Sequence, residues 1–491
     1  MIEGPLGDLL VYAQDQGLIT AVDVPYVRNR VLEVLRIAAY DLMREGAGRP
    51  ATIDDLLLPL LDDAAARGLI QPDTPTQRDL WDTAIMGCFV ARPSAVQHRF
   101  WQDYQRSPAA ATDHLHAGAI ASNYIRVTRT DRNLRWAYPC EYGVLDMTIN
   151  LSKPEKDPRD IAAAASAAGG GYPACLLCRE NEGYAGRPDH PARQNLRLID
   201  LELTGESWFL QYSPYRYYNE HCIVLSQEHR PMVISPATFR RLAQFTAILP
   251  HYLAGSNADL PIVGGSILSH DHYQGGQYEF PMDRAKTLWS TTRDGVDVSV
   301  LQWPLAVLRL SGDDEPVLTL ADRVLAGWRS YSDPGRDVLA HSGQTPHNTI
   351  TPIARRVAGR LRLDLVLRNN RTSAEHPDGI FHPHAQIHPV KKENIGLIEV
   401  MGLAVLPDRL QGELQLVAEA LACGGPLAQA AKVHQPMLDM LRRADPPANL
   451  EQAYLQTRDA ASAYFVRGLE HCSVFGRDVV DGCQDFLASL D

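Results

Sequence analysis

The sequence predicts an α+β protein with two related sheet-and-helix halves between helical N-terminal and C-terminal regions. Both ends of the chain carry apolar residues at helical spacing, while the part between them alternates short apolar runs with turn residues. A His-x-His-x-Gln pattern begins at His270 and occurs again at His382. Such a repeat indicates an internal duplication, in which the two halves share one sheet or face each other.

Changes of pattern along the chain set the expected domain boundaries. Residues 1–120 are expected to form a helical region, with one helix around residues 53–66, that packs either on the rest of the chain or on a second copy in a homodimer. Strand-like runs separated by turn residues, beginning with residues 122–129, then predict a first half over residues 121–290 and a second half over residues 291–407. Helical spacing returns over residues 408–491, which we expect to form a helical cap.

The composition is that of an ordinary globular protein of 491 residues, with 45% hydrophobic and 22% charged residues. A net charge of −12 without a basic stripe argues against a protein that coats nucleic acid. No apolar run approaches the length that spans a bilayer, and the first residues lack the basic start of a secretory signal. Eight cysteines in so long a chain fit a reduced compartment, so we expect a cytoplasmic protein that binds no membrane.

The stretch from Pro261 to Pro281 is the strongest candidate for a catalytic segment. It places His270 and His272 one residue apart, and alternation along a strand sends both imidazoles to one face. Small residues frame the pair, and their backbone N–H groups can approach an anion closely. The stretch therefore predicts a phosphate site that contains a histidine, with these frame residues as substrate contacts: Gly264, Gly265, Ser266, Gly275 and Gly276.

His272 is the candidate nucleophile of this site. If one ring nitrogen donates to a backbone carbonyl, the lone pair of the other is free to attack phosphorus. Gln274 would hydrogen-bond a phosphate oxygen as charge develops in the transition state. An amide cannot protonate a leaving group, which favours a leaving group that is already a good anion, such as a sugar phosphate. The alternative is that the two histidines form a half-buried strand face or a metal clamp.

Longer motifs carry a resemblance to a known family: SHDHYQGG, CLLCRENEGYAG, QYSPYRYYNEHC, TPHNTITP and KKENIGLIEVMGLAVLP. They are similar to those of the second class of galactose-1-phosphate uridylyltransferases, the UTP–hexose-1-phosphate uridylyltransferase family, over nearly the whole chain. This family belongs to the histidine-triad superfamily, so the resemblance implies two histidine-triad-like halves. It also implies that His272 is the nucleophile and Gln274 its phosphate partner. One departure is Asp271, since the better-studied class has proline there.

The reaction that the resemblance implies is an exchange of UMP between two hexose phosphates in galactose metabolism. UDP-glucose would uridylylate His272 and release glucose 1-phosphate, and galactose 1-phosphate would then take the uridylyl group to give UDP-galactose. This mechanism is ping-pong and needs no organic cofactor. Two alternatives stay open. One is a histidine-triad nucleotide hydrolase or another nucleotidyltransferase acting on sugar nucleotides, and the other is a zinc-stabilised module that binds uridine nucleotides without turnover.

The Cys-x-x-Cys pair formed by Cys175 and Cys178 indicates a metal site or redox chemistry. Zinc needs two further ligands, and His229 and His270 would complete a tetrahedral set. The resemblance supports this set, because uridylyltransferases of the better-studied class bind zinc with two cysteines and two histidines at similar positions. We therefore expect a closed, structural zinc site that holds the strand of the nucleophile. The alternative is a pair of metal-free thiols.

The second His-x-His-x-Gln copy makes His384 a rival nucleophile. This copy lacks flanking glycine pairs, so His384 is predicted to contact substrate, or to join His347 and His382 in a second metal site. Amide and guanidinium groups elsewhere in the chain can hold sugar hydroxyls and phosphate oxygens. The further predicted substrate contacts of these types are Asn219, Arg368, Asn370 and Arg371.

Overall fold

The computed structural model describes residues 2–46, 48, 52–152, 171–265 and 267–490. The chain divides into two compact units, each of which combines segments that are distant in sequence. The first unit consists of Met1–Arg132, Pro154–Arg230 and His270–His272, and the second of Asn133–Lys153, Pro231–Ser269 and Tyr273–Asp491.

The helices are concentrated at the two ends of the chain. They are α1 Glu3–Asp15, α2 Val24–Val34, α3 Ile53–Ala66, α4 Pro75–Gly87, α5 Pro93–Tyr104, α6 Pro108–Ala121, α7 Val127–Thr130, α8 Pro236–Ile248, α9 Asp314–Ser330, α10 Leu397–Val400, α11 Arg409–Cys423, α12 Gln435–Leu441, α13 Leu450–His471 and α14 Val479–Ala488. Short 3₁₀ helices lie between them at Leu42–Arg44, Arg179–Asn181, Pro281–Arg284, Pro334–Arg336, Ala385–Ile387, Gln429–His434 and Gly476–Asp478.

The strands occupy the middle of the chain. They are β1 Leu134–Cys140, β2 Gly143–Asn150, β3 Ile199–Leu203, β4 Glu206–Tyr212, β5 Cys222–Ser226, β6 Leu253–Gly255, β7 His272–Gly276, β8 Thr287–Arg293, β9 Val296–Leu301, β10 Val307–Gly312, β11 His341–Ser342, β12 Thr345–Pro346, β13 Asn348–Val357, β14 Arg360–Asn369 and β15 Leu403–Pro407. Helical ends around a strand-rich centre confirm the α+β class.

In the first unit, a helical layer formed by α1 to α4 closes around its own apolar core. Leu6, Leu10 and Val31 lie in that core with almost no exposed surface. Helix α3 begins with a capping box, in which the Thr52 hydroxyl and the Asp55 carboxylate satisfy each other's backbone N–H groups. Strands β3, β4 and β5 follow as an antiparallel meander. The helices expected from apolar spacing in this region are confirmed.

One local prediction for the first unit is wrong. The sequence predicts a strand at residues 122–129, but Val127–Thr130 is the short helix α7. Arg126 donates to the buried Asp82 at 2.7 Å and Arg129 donates to Asp79 at 2.8 Å, and both acids lie on α4. These ion pairs hold the segment against α4 and override the strand propensity of its β-branched residues.

The second unit contains a mainly antiparallel sheet and the helices that cover it. Residues Gln274–Gly276 of β7 pair with β6, and the order continues through β13, β14, β10, β9 and β8. Helices α8 and α9 pack against β13, where the Trp328 indole donates to the Thr349 carbonyl at 3.0 Å. A separate small sheet pairs β1 with β2 antiparallel and β2 with β15 parallel.

The second His-x-His-x-Gln copy does not share the backbone conformation of the first. His272 and Gln274 lie on strand β7, whereas His382 and His384 lie in a loop that leads into the 3₁₀ helix Ala385–Ile387. The matching residue spacing therefore does not place the two copies in equivalent secondary structure.

None of the helices in the described ranges combines the length and the apolar composition that a membrane-spanning helix requires.

Candidate active site

The imidazole of His272 is held in one orientation at the start of β7. Its Nδ1–H donates to the carbonyl of His270 at 2.8 Å, which leaves the lone pair of Nε2 as the free face of the ring. The side chain is buried, with 6% of its surface exposed. Burial lowers the pKa of His272 to about 4, so the ring is neutral at neutral pH. A neutral imidazole with a fixed tautomer has the properties of a nucleophile.

Gln274 and the glycines that follow occupy the rest of the strand. Gln274 is two positions beyond His272, so strand alternation directs both side chains to the same face. The residue pairs with Gly255 of β6, and Gly275 and Gly276 pair with Ala254 and Leu253. Gly276 has a φ of 146°, a conformation that only glycine adopts without strain.

The glycines that precede the two histidines have a packing role in the structure. A Cβ added to Gly264 would lie 2.6 Å from the Ala258 carbonyl oxygen and 2.7 Å from that of Leu260. A Cβ on Gly265 would lie 2.6 Å from the side-chain nitrogen of Asn257. The amide of Asn394 donates to the Gly264 carbonyl at 3.3 Å. Close packing therefore accounts for glycine at both positions, against backbone oxygens at Gly264 and against the Asn257 side chain at Gly265. Ser266 lies outside the described residues.

Replacing Gly264 with alanine is expected to destabilise the second unit by roughly 1–3 kcal/mol, because the new methyl group would press against two backbone oxygens that cannot move independently. Gly412 is the matched control, since it is exposed in helix α11 and a Cβ there would meet nothing within 4 Å. Gly412→Ala is expected to stabilise the protein by about 0.5–1 kcal/mol. Chemical denaturation measures both, and equal stability of the two variants would contradict this packing role.

Four residues of the first unit bring their ligand atoms together: Cys175, Cys178, His229 and His270. The Cys175 and Cys178 sulfurs are 3.5 Å apart. The Nδ1 atom of His270 lies 3.2 Å from the Cys175 sulfur, and that of His229 lies 3.1 Å from the Cys178 sulfur. The ligand atoms of all four residues lie within 4.8 Å of one another, so this cluster can hold a metal ion.

The donor set and its geometry fit zinc. Zinc bonds of about 2.3 Å to sulfur and about 2.0 Å to nitrogen separate tetrahedral ligand atoms by roughly 3.3–3.8 Å, close to the spacing in the cluster. The Nε2–H of His270 donates to the Ser226 carbonyl at 2.8 Å, which turns Nδ1 towards the two sulfurs. Burial raises the pKa of the Cys175 thiol, but the hydrogen bonds to His270, the Leu177 N–H and Cys178, with the charge of His270, together outweigh it and the net pKa is lowered. This favours the thiolate that a metal requires.

The carboxylate of Asp271 lies between the two histidines in sequence and is paired with Arg230. The Arg230 Nε and an Asp271 carboxylate oxygen are 3.4 Å apart, and only 6% of the Asp271 side chain is exposed. Nothing in the sequence singled out Arg230, although it directly follows the predicted ligand His229. The charge that an acid would bring to a phosphate site is thus balanced by a neighbouring cation.

The predicted substrate contacts at the end of β14 and directly after it form hydrogen bonds to other residues of the second unit. Arg368 is 1% exposed and donates through Nη2 to the Ile395 carbonyl at 3.2 Å, while its Nε and Nη1 have no partner among the described residues. Asn370 accepts from the Nδ1 of His347 at 2.8 Å. Arg371 donates to the Asp337 carboxylate at 2.9 Å. A substrate would have to compete with these partners at Asn370 and Arg371.

The two other predicted substrate contacts are His384, which lies in a stack of imidazole rings, and Asn219, which lies at the surface. The His384 ring is stacked between those of His376 and His471, with 4.1 Å between centroids on each side. His347 and His382 bond to asparagine side chains, and among the described residues only the Cys175 cluster meets the geometry of a metal site. Asn219 is exposed and its amide lies 3.5 Å from the carboxylate of Glu220.

A cavity of about 260 Å³ lies in the first unit, apart from these residues. It is lined mainly by apolar side chains of α5 and α6, together with polar groups such as Asn195 and Tyr212. None of the predicted site residues lines it.

A buried, strand-borne imidazole with one free nitrogen has the chemistry that a nucleotidyltransferase can use for covalent transfer. Comparison with known families agrees with this class. Residues 20–231 match the family described as galactose-1-phosphate uridyl transferase, N-terminal domain, and residues 246–436 match the C-terminal domain of the same name. The chain belongs to the galactose-1-phosphate uridylyltransferase family.

Curated relatives match along most of their length. The galactose-1-phosphate uridylyltransferase of Clostridium acetobutylicum is 52% identical over 86% of this chain and 85% of its own. That of Halalkalibacterium halodurans is 48% identical over 96% and 94%, and that of Bacillus subtilis is 46% identical over 99% and 96%. Among solved structures, the crystal structure of yeast Ap4A phosphorylase Apa2 covers 53% of this chain and 82% of that chain, with 11% identity and a TM-score of 0.31.

Proposed function

We propose that this enzyme exchanges UMP between UDP-glucose and galactose 1-phosphate, with His272 as the residue that carries the uridylyl group. Uridylyl transfer is the activity that the names of its relatives state. The observation that carries the role of His272 is the hydrogen bond from its Nδ1–H to the His270 carbonyl, because this bond leaves Nε2 with an unshared electron pair.

The first half-reaction starts with attack of Nε2 on the α-phosphorus of UDP-glucose. An N–P bond forms, the bond from that phosphorus to the bridging oxygen breaks, and glucose 1-phosphate leaves with the electron pair. In the second half-reaction a phosphate oxygen of galactose 1-phosphate attacks the same phosphorus, the N–P bond breaks, and UDP-galactose forms. Gln274 would donate to a non-bridging oxygen in both transition states. Neither step requires a proton donor for the leaving group.

The remaining predicted contacts complete the proposal. Backbone N–H groups near Gly264, Gly265, Gly275 and Gly276 would face phosphate oxygens, and Ser266 belongs to the same set. Arg368, Asn370, Arg371, His384 and Asn219 are proposed to contact the hexose phosphate or the nucleotide. Arg371 could do so only by exchanging its ion pair with Asp337.

The metal of the Cys175 cluster is proposed to be zinc, bound by Cys175, Cys178, His229 and His270. Bound there, zinc would act as a closed structural ion that ties the segment before β7 to the loop that contains the two cysteines. His270 would thus serve the metal, and His272, two residues on, would remain free for the substrate.

An exchange experiment with labelled nucleotide tests this function. Incubation with UDP-glucose labelled in the uridylyl group is expected to give about one labelled histidine per active chain, and addition of galactose 1-phosphate should move the label to UDP-galactose. A panel of other sugar 1-phosphates then defines the acceptor. Steady release of UMP from UDP-glucose alone would instead identify a hydrolase, and tight binding of uridine nucleotides without turnover would identify a binding module.

A further inference from the structure

Asp271, the residue between the two histidines, is bound to the first unit through both its backbone and its side chain. The N–H of Asp271 donates to the Arg230 carbonyl at 2.7 Å, and its own carbonyl accepts from the Ser226 N–H at 3.0 Å. Its side chain forms the 3.4 Å ion pair with the Arg230 guanidinium. Asp271 is therefore tied to the end of β5 and the turn after it by two backbone bonds and one charge pair.

Arg230 is in turn anchored on a second strand. Its Nη2 donates to the carboxylate of Glu206, the first residue of β4, at 2.6 Å, and its guanidinium carbon lies 5.9 Å from the centre of the Trp208 ring. An arginine guanidinium is charged at every relevant pH. The cation that faces Asp271 is thus also held by a residue of β4.

The carboxylate of Asp271 faces the Arg230 guanidinium, whose Nε lies 3.4 Å from it. The negative charge next to His272 is therefore balanced by a cation. The pair restrains the residue that immediately precedes His272, at the start of β7.

We propose that the Arg230–Asp271 ion pair is a positioning device for His272, which fixes the direction of its Nε2 towards the phosphorus. The inference rests on the proposed role of His272 as the nucleophile. In a transfer that depends on in-line attack, a displacement of about 1 Å can cost on the order of 100-fold in rate. Loss of the pair should therefore slow the formation of the uridylyl-enzyme without weakening the binding of UDP-glucose.

Single-turnover labelling with UDP-glucose separates these two quantities. Asp271→Asn keeps the shape of the side chain and removes its charge, and is expected to slow labelling at saturating UDP-glucose about tenfold. The half-saturating concentration of UDP-glucose should stay within about twofold of the wild-type value, as expected when ground-state binding is kept. Arg230→Gln is expected to slow labelling by roughly 10–100-fold, and Arg230→Lys, which restores the charge, should recover part of that loss.

Glu228→Gln is the matched control, because it removes an exposed ion pair of the same guanidinium, also 3.4 Å long, and leaves the contacts with Glu206 and Asp271 in place. Its labelling rate is expected to stay within about twofold of the wild type. Labelling of Asp271→Asn at the wild-type rate, an equal loss in Glu228→Gln, or no recovery in Arg230→Lys would each overturn the inference. Absence of any label on the wild-type enzyme would refute the proposed function itself, which is a different result.

Arg230→Gln changes a residue next to His229, so its fold is checked by thermal unfolding and by its content of bound metal. If that variant does not fold, Asp271→Asn and Arg230→Lys decide the question. Loss of metal from Asp271→Asn together with the slower labelling would also overturn the inference, because the pair would then serve the cluster.

Discussion

Replacing His272 with alanine is expected to abolish the covalent uridylyl-enzyme and to lower the exchange rate by at least about four orders of magnitude. The reason is that Nε2 of this ring is the atom to which the uridylyl group is attached in both half-reactions. Incubation with labelled UDP-glucose, followed by denaturation and counting of protein-bound label, measures the first effect. The rate of UDP-galactose formation measures the second.

His384→Ala is the informative comparison, because His384 is the corresponding histidine of the second His-x-His-x-Gln copy. This variant should still acquire the label, since the His384 ring is stacked between two other imidazoles and its Nε2 already lies 3.0 Å from the Ile380 carbonyl. A labelled His272→Ala enzyme together with an unlabelled His384→Ala enzyme would reverse the assignment of the nucleophile.

Replacing Cys175 with serine is expected to release the bound metal and to lower the free energy of unfolding by several kcal/mol. In small zinc domains the apparent binding free energy of a structural ion is on the order of 10 kcal/mol, and this stabilisation is lost with the ion. The substitution should affect the rate of His272 labelling less than it affects the free energy of unfolding. The reason is that the cluster supports the strand and does not contact phosphorus in the proposed mechanism. Metal analysis, thermal unfolding and single-turnover labelling give the three quantities.

Cys423→Ser provides the control for the loss of a thiol. Cys423 is exposed at the end of α11 and belongs to no metal cluster in the described part of the chain, so its substitution should change stability by no more than about 0.5 kcal/mol. Treatment of the wild type with a strong chelator should reproduce the stability of Cys175→Ser and leave that variant unchanged. A metal-free wild type as stable as the metal-containing protein would exclude a structural ion.

Much of the secondary structure could be predicted because it depends on local periodicity and on residues that begin helices. The predicted helix at 53–66 agrees with Ile53–Ala66, whose first turn is fixed by Thr52 and Asp55. The prediction was wrong at Val127–Thr130 because that helix depends on ion pairs with Asp79 and Asp82, more than forty residues earlier in the chain. Such pairings are not visible in local sequence.

Some residues of the candidate site could likewise be predicted from the sequence, and others could be found only from the structure. The four residues of the cluster could be proposed from side-chain chemistry together with the family resemblance. Two close cysteines need two further donors, but the cysteine spacing alone does not choose them among the chain's 17 histidines. Arg230 could not be found, since choosing its partner among the chain's 59 acidic residues requires the fold. The glycines before His270 were predicted as a phosphate cradle, and the structure adds a packing reason that only coordinates reveal.

Because the two units combine segments that are distant in sequence, parts of each unit are synthesised before their partners. Cys175, Cys178 and His229 leave the exit tunnel well before His270, so three donors of the cluster must wait for the fourth. Strand β2 waits longer still, because its parallel neighbour β15 follows more than half the chain later. A nascent or truncated product that stops before His270 would therefore lack one of the four residues of the cluster, and no single cut in the chain separates the two units.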